Sequence, residues 1–277
     1  MTTGGALRVG LAQVDSRLGD LDENLARHLA RIEEARAAGV ELLVFPELSL
    51  TGYRLLHLTP RLALAPQRSP HVARLAAAAA GMTVVVGLVE EDENGTLHNS
   101  ALVLQEGAVV HTHRKVYLPT YGIFQEERFF ARGRSLGLVP IAGGKLGVLI
   151  CEDLWHAELA RRMALGGAKL IVVPSVSPGR VGPGPVPENS DTWEVLTRST
   201  ALLNTCWVAY CSRVGWEEGS FYPGGSHLVR PGGEVAARAP FLEEHLLVAE
   251  VDLREADRLR FRLPLLDDER TDVVGPA

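Results

Sequence analysis

Three side chains stand where an α/β protein does its chemistry. Cys151 closes the apolar run Val148-Leu149-Ile150, inside Gly147-Val148-Leu149-Ile150-Cys151-Glu152-Asp153-Leu154-Trp155-His156. A strand that stops at a thiol and turns into a helix over 152–160 presents the sulfur at the sheet edge. The first free N–H groups of that helix and its positive end favour negative charge, so they lower a thiol pKa or cradle an oxyanion. The same cysteine would also serve as a small apolar filler, as buried thiols often do. Glu47 follows the apolar run 41–45 in Phe45-Pro46-Glu47-Leu48, and Lys115 follows the run 108–113 in His113-Arg114-Lys115-Val116-Tyr117-Leu118-Pro119. Ligands gather at the carboxyl ends of strands in such sheets, so a carboxylate, an ammonium and a thiol delivered there would share one pocket. Taken singly, Glu47 could be a helix cap, Lys115 half of a structural ion pair and Cys151 a core thiol.

Periodicity supplies the elements that must position them. Strands are predicted over 8–14, 41–45, 83–89, 98–105, 108–113, 148–150, 169–173, 206–213, 226–230 and 246–251, from apolar runs bounded by turn residues. Helices are predicted from Asp20 or Asp22 to Ala38, where Leu25, Leu29, Ile32 and Ala35 share a face, and over 71–80, 158–165, 191–204 and 253–261. Asn94-Gly95 marks a hairpin. Residues 48–70, 119–133 and 174–187 are loops, the last dense in proline and glycine, and the stretch 178–188 is suited to a lid. No composition break divides residues 1–277, so one domain is expected, of α/β class.

With those motifs in hand, the chain resembles the nitrilase (carbon–nitrogen hydrolase) superfamily, from Leu11-Ala12-Gln13 through Phe45-Pro46-Glu47-Leu48-Ser49-Leu50-Thr51-Gly52-Tyr53 to Gly224-Gly225-Ser226. The resemblance implies a four-layer α-β-β-α sandwich, a Glu-Lys-Cys triad at Glu47, Lys115 and Cys151, and pairing with a second subunit through the sheet-flanking helices. Leu18-Gly19-Asp20-Leu21-Asp22-Glu23-Asn24 and the segment from Lys115 to Phe130 look like the glutaminase half of glutamine-dependent NAD synthetases. No Ser-Gly-Gly-Xaa-Asp pyrophosphatase loop is present in the 277 residues. Any ammonia made would then leave or pass to a separate ammonia-using synthetase as partner. Likeness to the family also makes Glu126 a second carboxylate beside Lys115 or the substrate amide, with Glu127 the competitor, and makes Tyr121 a substrate contact.

The chemistry expected of these groups is amide hydrolysis through a thioester. A thiol of pKa about 8.5 is only a few per cent ionised at pH 7 and needs a base. Glu47 would take its proton, a role worth roughly 10²–10⁴-fold. Lys115 and the backbone N–H of Glu152 would bind the oxyanion, at about 10²–10³-fold per donor. Neither a metal nor a cofactor is called for. Trp155, Ser175 and Ser177 are candidate pocket walls. His111 and His113 share a strand face without metal-like neighbours and are assigned to surface or core. His156 suggests a Cys-His pair that Glu47 makes unnecessary, and Cys206 and Cys211 are structural. The same triad would serve a nitrile or N-carbamoyl substrate, and the fold could persist as a non-catalytic assembly subunit. The net charge of -6 speaks against nucleic acid. Three cysteines, no apolar stretch of 18 residues and no leader-like start lead to the expectation of a cytoplasmic protein.

Overall fold

The computed structural model describes residues 6–179 and 187–274 of the 277-residue chain. The strands are β1 (Leu7–Gln13), β2 (Leu42–Val44), β3 (Thr83–Glu91), β4 (Leu97–Gln105), β5 (Ala108–Arg114), β6 (Leu138–Ile141) and β7 (Gly144–Val148). They continue with β8 (Ala168–Ser175), β9 (Trp207–Ser212), β10 (Val214–Glu217), β11 (Ser220–Pro223), β12 (His227–Val229), β13 (Val235–Arg238) and β14 (His245–Val251). The helices are α1 (Leu21–Ala37), a single turn α2 (Thr59–Leu62), α3 (Pro70–Ala78), α4 (Ala157–Leu165), α5 (Glu188–Asn204) and α6 (Arg254–Arg262).

Two six-stranded sheets carry the fold, ordered β14-β1-β2-β3-β4-β5 and β13-β12-β9-β8-β7-β6. Each has a parallel centre, β1-β2-β3 in one and β7-β8-β9 in the other, with antiparallel strands outside. Alternation along the strands separates the layers. Val9, Leu11, Val44 and Val85 join Val172 and Ala209 of the second sheet in one cluster that also holds Met163 of α4 and Ala201 of α5. Their neighbours Leu43, Val84 and Val86 pack instead with Leu25 and Ile32 of α1 and with Val72 and Leu75 of α3. The result is a four-layer sandwich, helix, sheet, sheet, helix. Each such fully buried Leu or Ile contributes about 1.5–3 kcal/mol, more than any cap or surface pair on the same helix. Caps still set where the helices begin: Asp20 accepts the Glu23 N–H at 3.0 Å, and Ser69 starts α3.

Because β5 runs parallel to β2 and β3 (through two antiparallel steps), the ends of β2 and β5 open on the same side. Gly87 of β3 keeps that side tight. A Cβ there would fall 2.3 Å from the Leu48 nitrogen and 2.6 Å from the Pro46 oxygen, so only glycine lets the Glu47 turn lie on the sheet.

The structure departs from the sequence reading in three places. The strand before Cys151 is Gly144–Val148 rather than 148–150, although its ladder extends one bond further, Leu149 N–H to Val172 O at 3.1 Å. No helix starts at Glu152. Cys151–Trp155 form a 3₁₀ turn, and α4 begins only at Ala157 because His156 is extended, φ -104° and ψ 92°. The hairpin β10–β11 and strands β6 and β13 escaped the periodicity, each being four residues long with little alternation. Of the loop expected over 174–187, residues 180–186 lie outside the described residues. No helix among the described residues is long and apolar enough to cross a membrane.

Candidate active site

Glu47, Lys115, Glu126 and Cys151 come together between the facing ends of the two sheets, all buried. The Lys115 ammonium donates to Glu47 Oε1 and to Glu126 Oε1, both at 2.7 Å. Glu47 is held from three directions: Lys115 and the Asn99 amide (2.7 Å) share Oε1, and the Val176 N–H donates to Oε2 at 2.9 Å. The thiol of Cys151 faces the carbonyl of that same Val176 at 3.8 Å. One residue beyond β8 therefore links the carboxylate to the sulfur. Glu126 also accepts a short hydrogen bond from the Tyr53 hydroxyl, while its Oε2 is buried without a partner. Glu127 points away and pairs with Arg132, so the glutamate that meets Lys115 is Glu126.

The turn that carries Cys151 is strained and clamped. Cys151 has φ +46°, a left-handed conformation that costs a non-glycine residue roughly 1–3 kcal/mol and tends to persist where the surroundings fix it. Asp153 supplies the clamp. Its buried carboxylate accepts the N–H of Ile150 (3.0 Å), just before the cysteine, and those of Val116 (2.9 Å) and Tyr117 (3.0 Å), just after Lys115. The fourth donor is His113, whose Nε2 lies 2.8 Å from Asp153. His113, assigned from sequence to surface or core, is thus a buried strut of the site. Asp153, Asn99 and Tyr53 were not singled out at all. Asp153 and Tyr53 lie inside the motif stretches, whereas Asn99, on β4, carries no sequence signal because its contact to Glu47 spans 52 positions.

Electrostatics define the resting state. Burial pulls the Lys115 ammonium down, but Glu126 and Glu47 outweigh it and hold the group well above its ordinary value. Burial pushes the Glu126 carboxyl up to about 7, against the pull of Lys115 and helped by Glu47. Burial and then Glu47 push the Cys151 thiol well above its ordinary value, and the opposing pull of Lys115 is smaller. This corrects the expectation of a thiol depressed by a helix end: the turn is not an α-helix, and the sulfur rests protonated. The Tyr53 hydroxyl is likewise raised by burial and by Glu126.

Cys151 lines an open cavity of about 340 Å³. Tyr121, Glu152, Trp155 and Ser177 line it with Asn189 and Trp193. Tyr121 donates to Glu152 Oε2 at 2.7 Å, and Trp155 stands edge-on to Trp193, centroids 5.8 Å apart. Ser177 accepts from the Trp193 indole N–H at 2.7 Å. Ser175 does not reach the cavity; its buried hydroxyl turns back to the Val173 carbonyl at 3.4 Å, because residues alternate along β8. His156 also stays apart from the sulfur, stacked on Tyr117 at 3.3 Å. A larger groove of 620 Å³ runs between α3 and β5 but touches none of these residues, and His111 is the one titratable group on its walls. Among the described residues no group of three or more His, Cys, Asp or Glu could hold a metal ion.

A sandwich of this topology, with a thiol, a lysine and two glutamates at one end, defines a class, and comparison with known proteins names it. The carbon-nitrogen hydrolase family model matches residues 8–261. The chain belongs to the carbon–nitrogen hydrolase family and is a hydrolase acting on carbon–nitrogen bonds. It is 34% identical over 268 residues to a glutamine-dependent NAD(+) synthetase of Thermotoga maritima, covering 95% of this chain and 44% of that protein. It thus spans less than half the length of that relative. The Pseudomonas protegens protein named "Hydrolase in pqqF 5'region" is 34% identical over 272 residues, covering 96% of this chain and 90% of its own. Among solved structures, a variant of the amidase from Nesterenkonia sp. AN1 superposes with a TM-score of 0.82 at 26% identity, covering 98% and 97% of the two chains. That structure shows the acetamide moiety of fluoroacetamide added covalently at its active site cysteine.

Proposed function

We propose that the chain is an amidase that hydrolyses a small carboxamide, of glutamine-like shape, to the acid and ammonia. The observation that carries this reading is the Lys115 ammonium shared between Glu47 and Glu126 beside Cys151, which lines the open cavity. The thiol rests protonated, so attack begins when Glu47 takes its proton as sulfur adds to the amide carbon. Lys115, kept charged by its two carboxylates, binds the oxyanion together with the backbone N–H of Glu152. Glu47 returns the proton to the nitrogen, the C–N bond breaks, ammonia leaves, and a thioester remains on Cys151. Glu47 then deprotonates a water that attacks the thioester, and the thiolate recovers the proton as the acid departs. Tyr121 and Glu152 provide a polar wall for the far end of an ω-amide, in a cavity also lined by the edge-to-face pair Trp155 and Trp193.

The test is ammonia release from a panel of ω-amides, nitriles and N-carbamoyl amines, together with mass spectrometry after exposure to fluoroacetamide. The reading expects turnover of amides, a single adduct on Cys151 with Cys206 and Cys211 untouched, and no turnover by Cys151→Ala. Unchanged amide hydrolysis by Cys151→Ala would overturn it, and preferential turnover of a nitrile or carbamoyl amine would move the substrate class. We further propose a homodimer through the sheet-flanking helices, since α5 exposes Val195 and Leu203. Light scattering of the purified chain decides this, a monomeric mass counting against it.

A further inference from the structure

The hairpin β10–β11 lies outside the cavity lining, yet it is fastened to both loops that shape the carboxylate cluster. Glu217, at its first strand's end, is buried, and its Oε1 accepts the N–H groups of Arg54 (2.6 Å) and Tyr53 (3.1 Å). Its Oε2 takes a close ion pair from Arg213. Arg213 is itself buried, donating to Asp15 at 3.0 Å and to the Ser16 carbonyl at 2.8 Å while lying over the Tyr222 ring. The guanidinium of Arg54 returns to the Glu218 carbonyl (2.9 Å) and the Ser220 hydroxyl (3.1 Å). On the other side, the Arg213 N–H donates to Ser175 O at 3.1 Å, and the Gly179 N–H donates to Phe221 O at 2.7 Å. That side leads directly to Val176, whose N–H holds Glu47.

We propose that Glu217, held by Arg213, is a positioning residue for amide hydrolysis: by fixing the backbone of Tyr53 and Arg54 it sets the Tyr53 hydroxyl on Glu126, and so sets the carboxylate that shares Lys115. The proposal rests on the assignment of Glu126 and Lys115 under the function above. Two observations make the link stiff. Buried N–H groups need an acceptor, and Glu217 supplies it to two successive ones in this loop. The preceding Gly52, at φ +82°, has no room to adjust, since a Cβ would lie 2.8 Å from the Leu18 Cα and 3.2 Å from Glu217 Oε2. A buried ion pair is a poor way to gain stability compared with apolar packing, so its value here lies in geometry. Misplacing a reacting group by about 1 Å can cost on the order of 10²-fold in rate.

The experiment is a double-mutant cycle of Glu217→Asp and Tyr53→Phe, with kcat, KM and pH profiles for an amide substrate. Glu217→Asp keeps the charge opposite Arg213 but draws the carboxylate back by one methylene. We expect each variant to lower kcat by on the order of 10-fold or more with little change in KM. Both should move the Glu126 ionisation to higher pH, because the Tyr53 hydrogen bond favours the carboxylate. In the Tyr53→Phe background, Glu217→Asp should add almost nothing. Fully additive losses, or an unshifted profile with only a lowered Tm, would reduce Glu217 to a structural residue and overturn the proposal. Should the parent chain prove inactive on amides, or active without Cys151, the functional reading has failed instead, and the two failures are told apart by the Cys151→Ala control.

Discussion

The molecule buries two ionic clusters within reach of each other, and they are built to opposite ends. Around Arg213 both Glu217 oxygens are engaged, by the guanidinium and by backbone N–H groups. Around Lys115 the arrangement is incomplete: Glu126 Oε2 is buried without a partner, and its carboxyl sits near 7. A saturated carboxylate fixes backbone. Glu126, with an open oxygen and a pKa near neutrality, can still accept a hydrogen bond or exchange a proton beside the base Glu47. What separates the two is what they touch: the Lys115 cluster adjoins Cys151, whereas the Glu217 carboxylate is taken up by the Arg213 guanidinium and the N–H groups of Tyr53 and Arg54.

Substitutions can break that contrast, starting with the largest expected effect. Lys115→Met should abolish amide turnover, a loss beyond 10³-fold, since it removes an oxyanion donor and leaves two carboxylates facing each other. Its folding defect should be softened because Glu126 can take up a proton, and urea titration at pH 6 and 8 would show a larger loss at the higher pH. Stability equal at both pH values would contradict this. Arg213→Met takes the partner from Glu217 and Asp15, and we expect a destabilisation of about 3–5 kcal/mol by denaturant unfolding. A loss below 1 kcal/mol would mean that the second cluster is not the rigid one.

Glu126→Gln separates function from stability within one residue. The folded protein keeps its proton to about pH 7, whereas the unfolded chain releases it near 4.5. The stabilising contribution is therefore full below 4.5 and lost as pH rises through 7. The variant should gain Tm relative to the parent above pH 7 while losing kcat on the order of 10–100-fold. Loss of both together would count against the reading. Gly87→Ala is a purely steric probe of the same cluster, driving a methyl into the Leu48 nitrogen. It should lower kcat and Tm together.

The smallest expected effect concerns neutral buried groups. Burial depresses His28 and His227 from 6.5 to about 4. Between those values the unfolded chain binds more protons, so stability is full above pH 6.5 and falls on acidification towards 4. The loss is about 3 kcal/mol per histidine at most. His28→Gln should flatten roughly half of that decline in Tm-versus-pH measurements, and an unaltered slope would reassign it.

Legibility followed the range of the interaction. The ten predicted strands and the main helices rest on apolar periodicity, which is local, and each has its counterpart within a few residues. The helix expected after Cys151 failed because an acceptor two residues on, Asp153, closed a tighter turn, helped by His113 from 40 residues away. Ser175 was placed on the cavity by its position after an apolar run, but parity along β8 turned it inward. The hairpin β10–β11 gave no periodic signal, and its importance lies wholly in what Glu217 and Arg213 touch.

By itself the sequence determined which residue types stand at strand ends, and hence that a thiol, an ammonium and one carboxylate were available to one sheet edge; the second carboxylate came from the family resemblance. Only the tertiary structure decided their charge states and neighbours: a protonated sulfur, a lysine locked between glutamates, Glu126 rather than Glu127, and the Asp153 and Glu217 clamps. The reason is physical. Strand ends follow from short-range patterning, whereas pKa values and hydrogen-bond partners depend on burial and on groups brought close from 11 to 164 positions away along the chain.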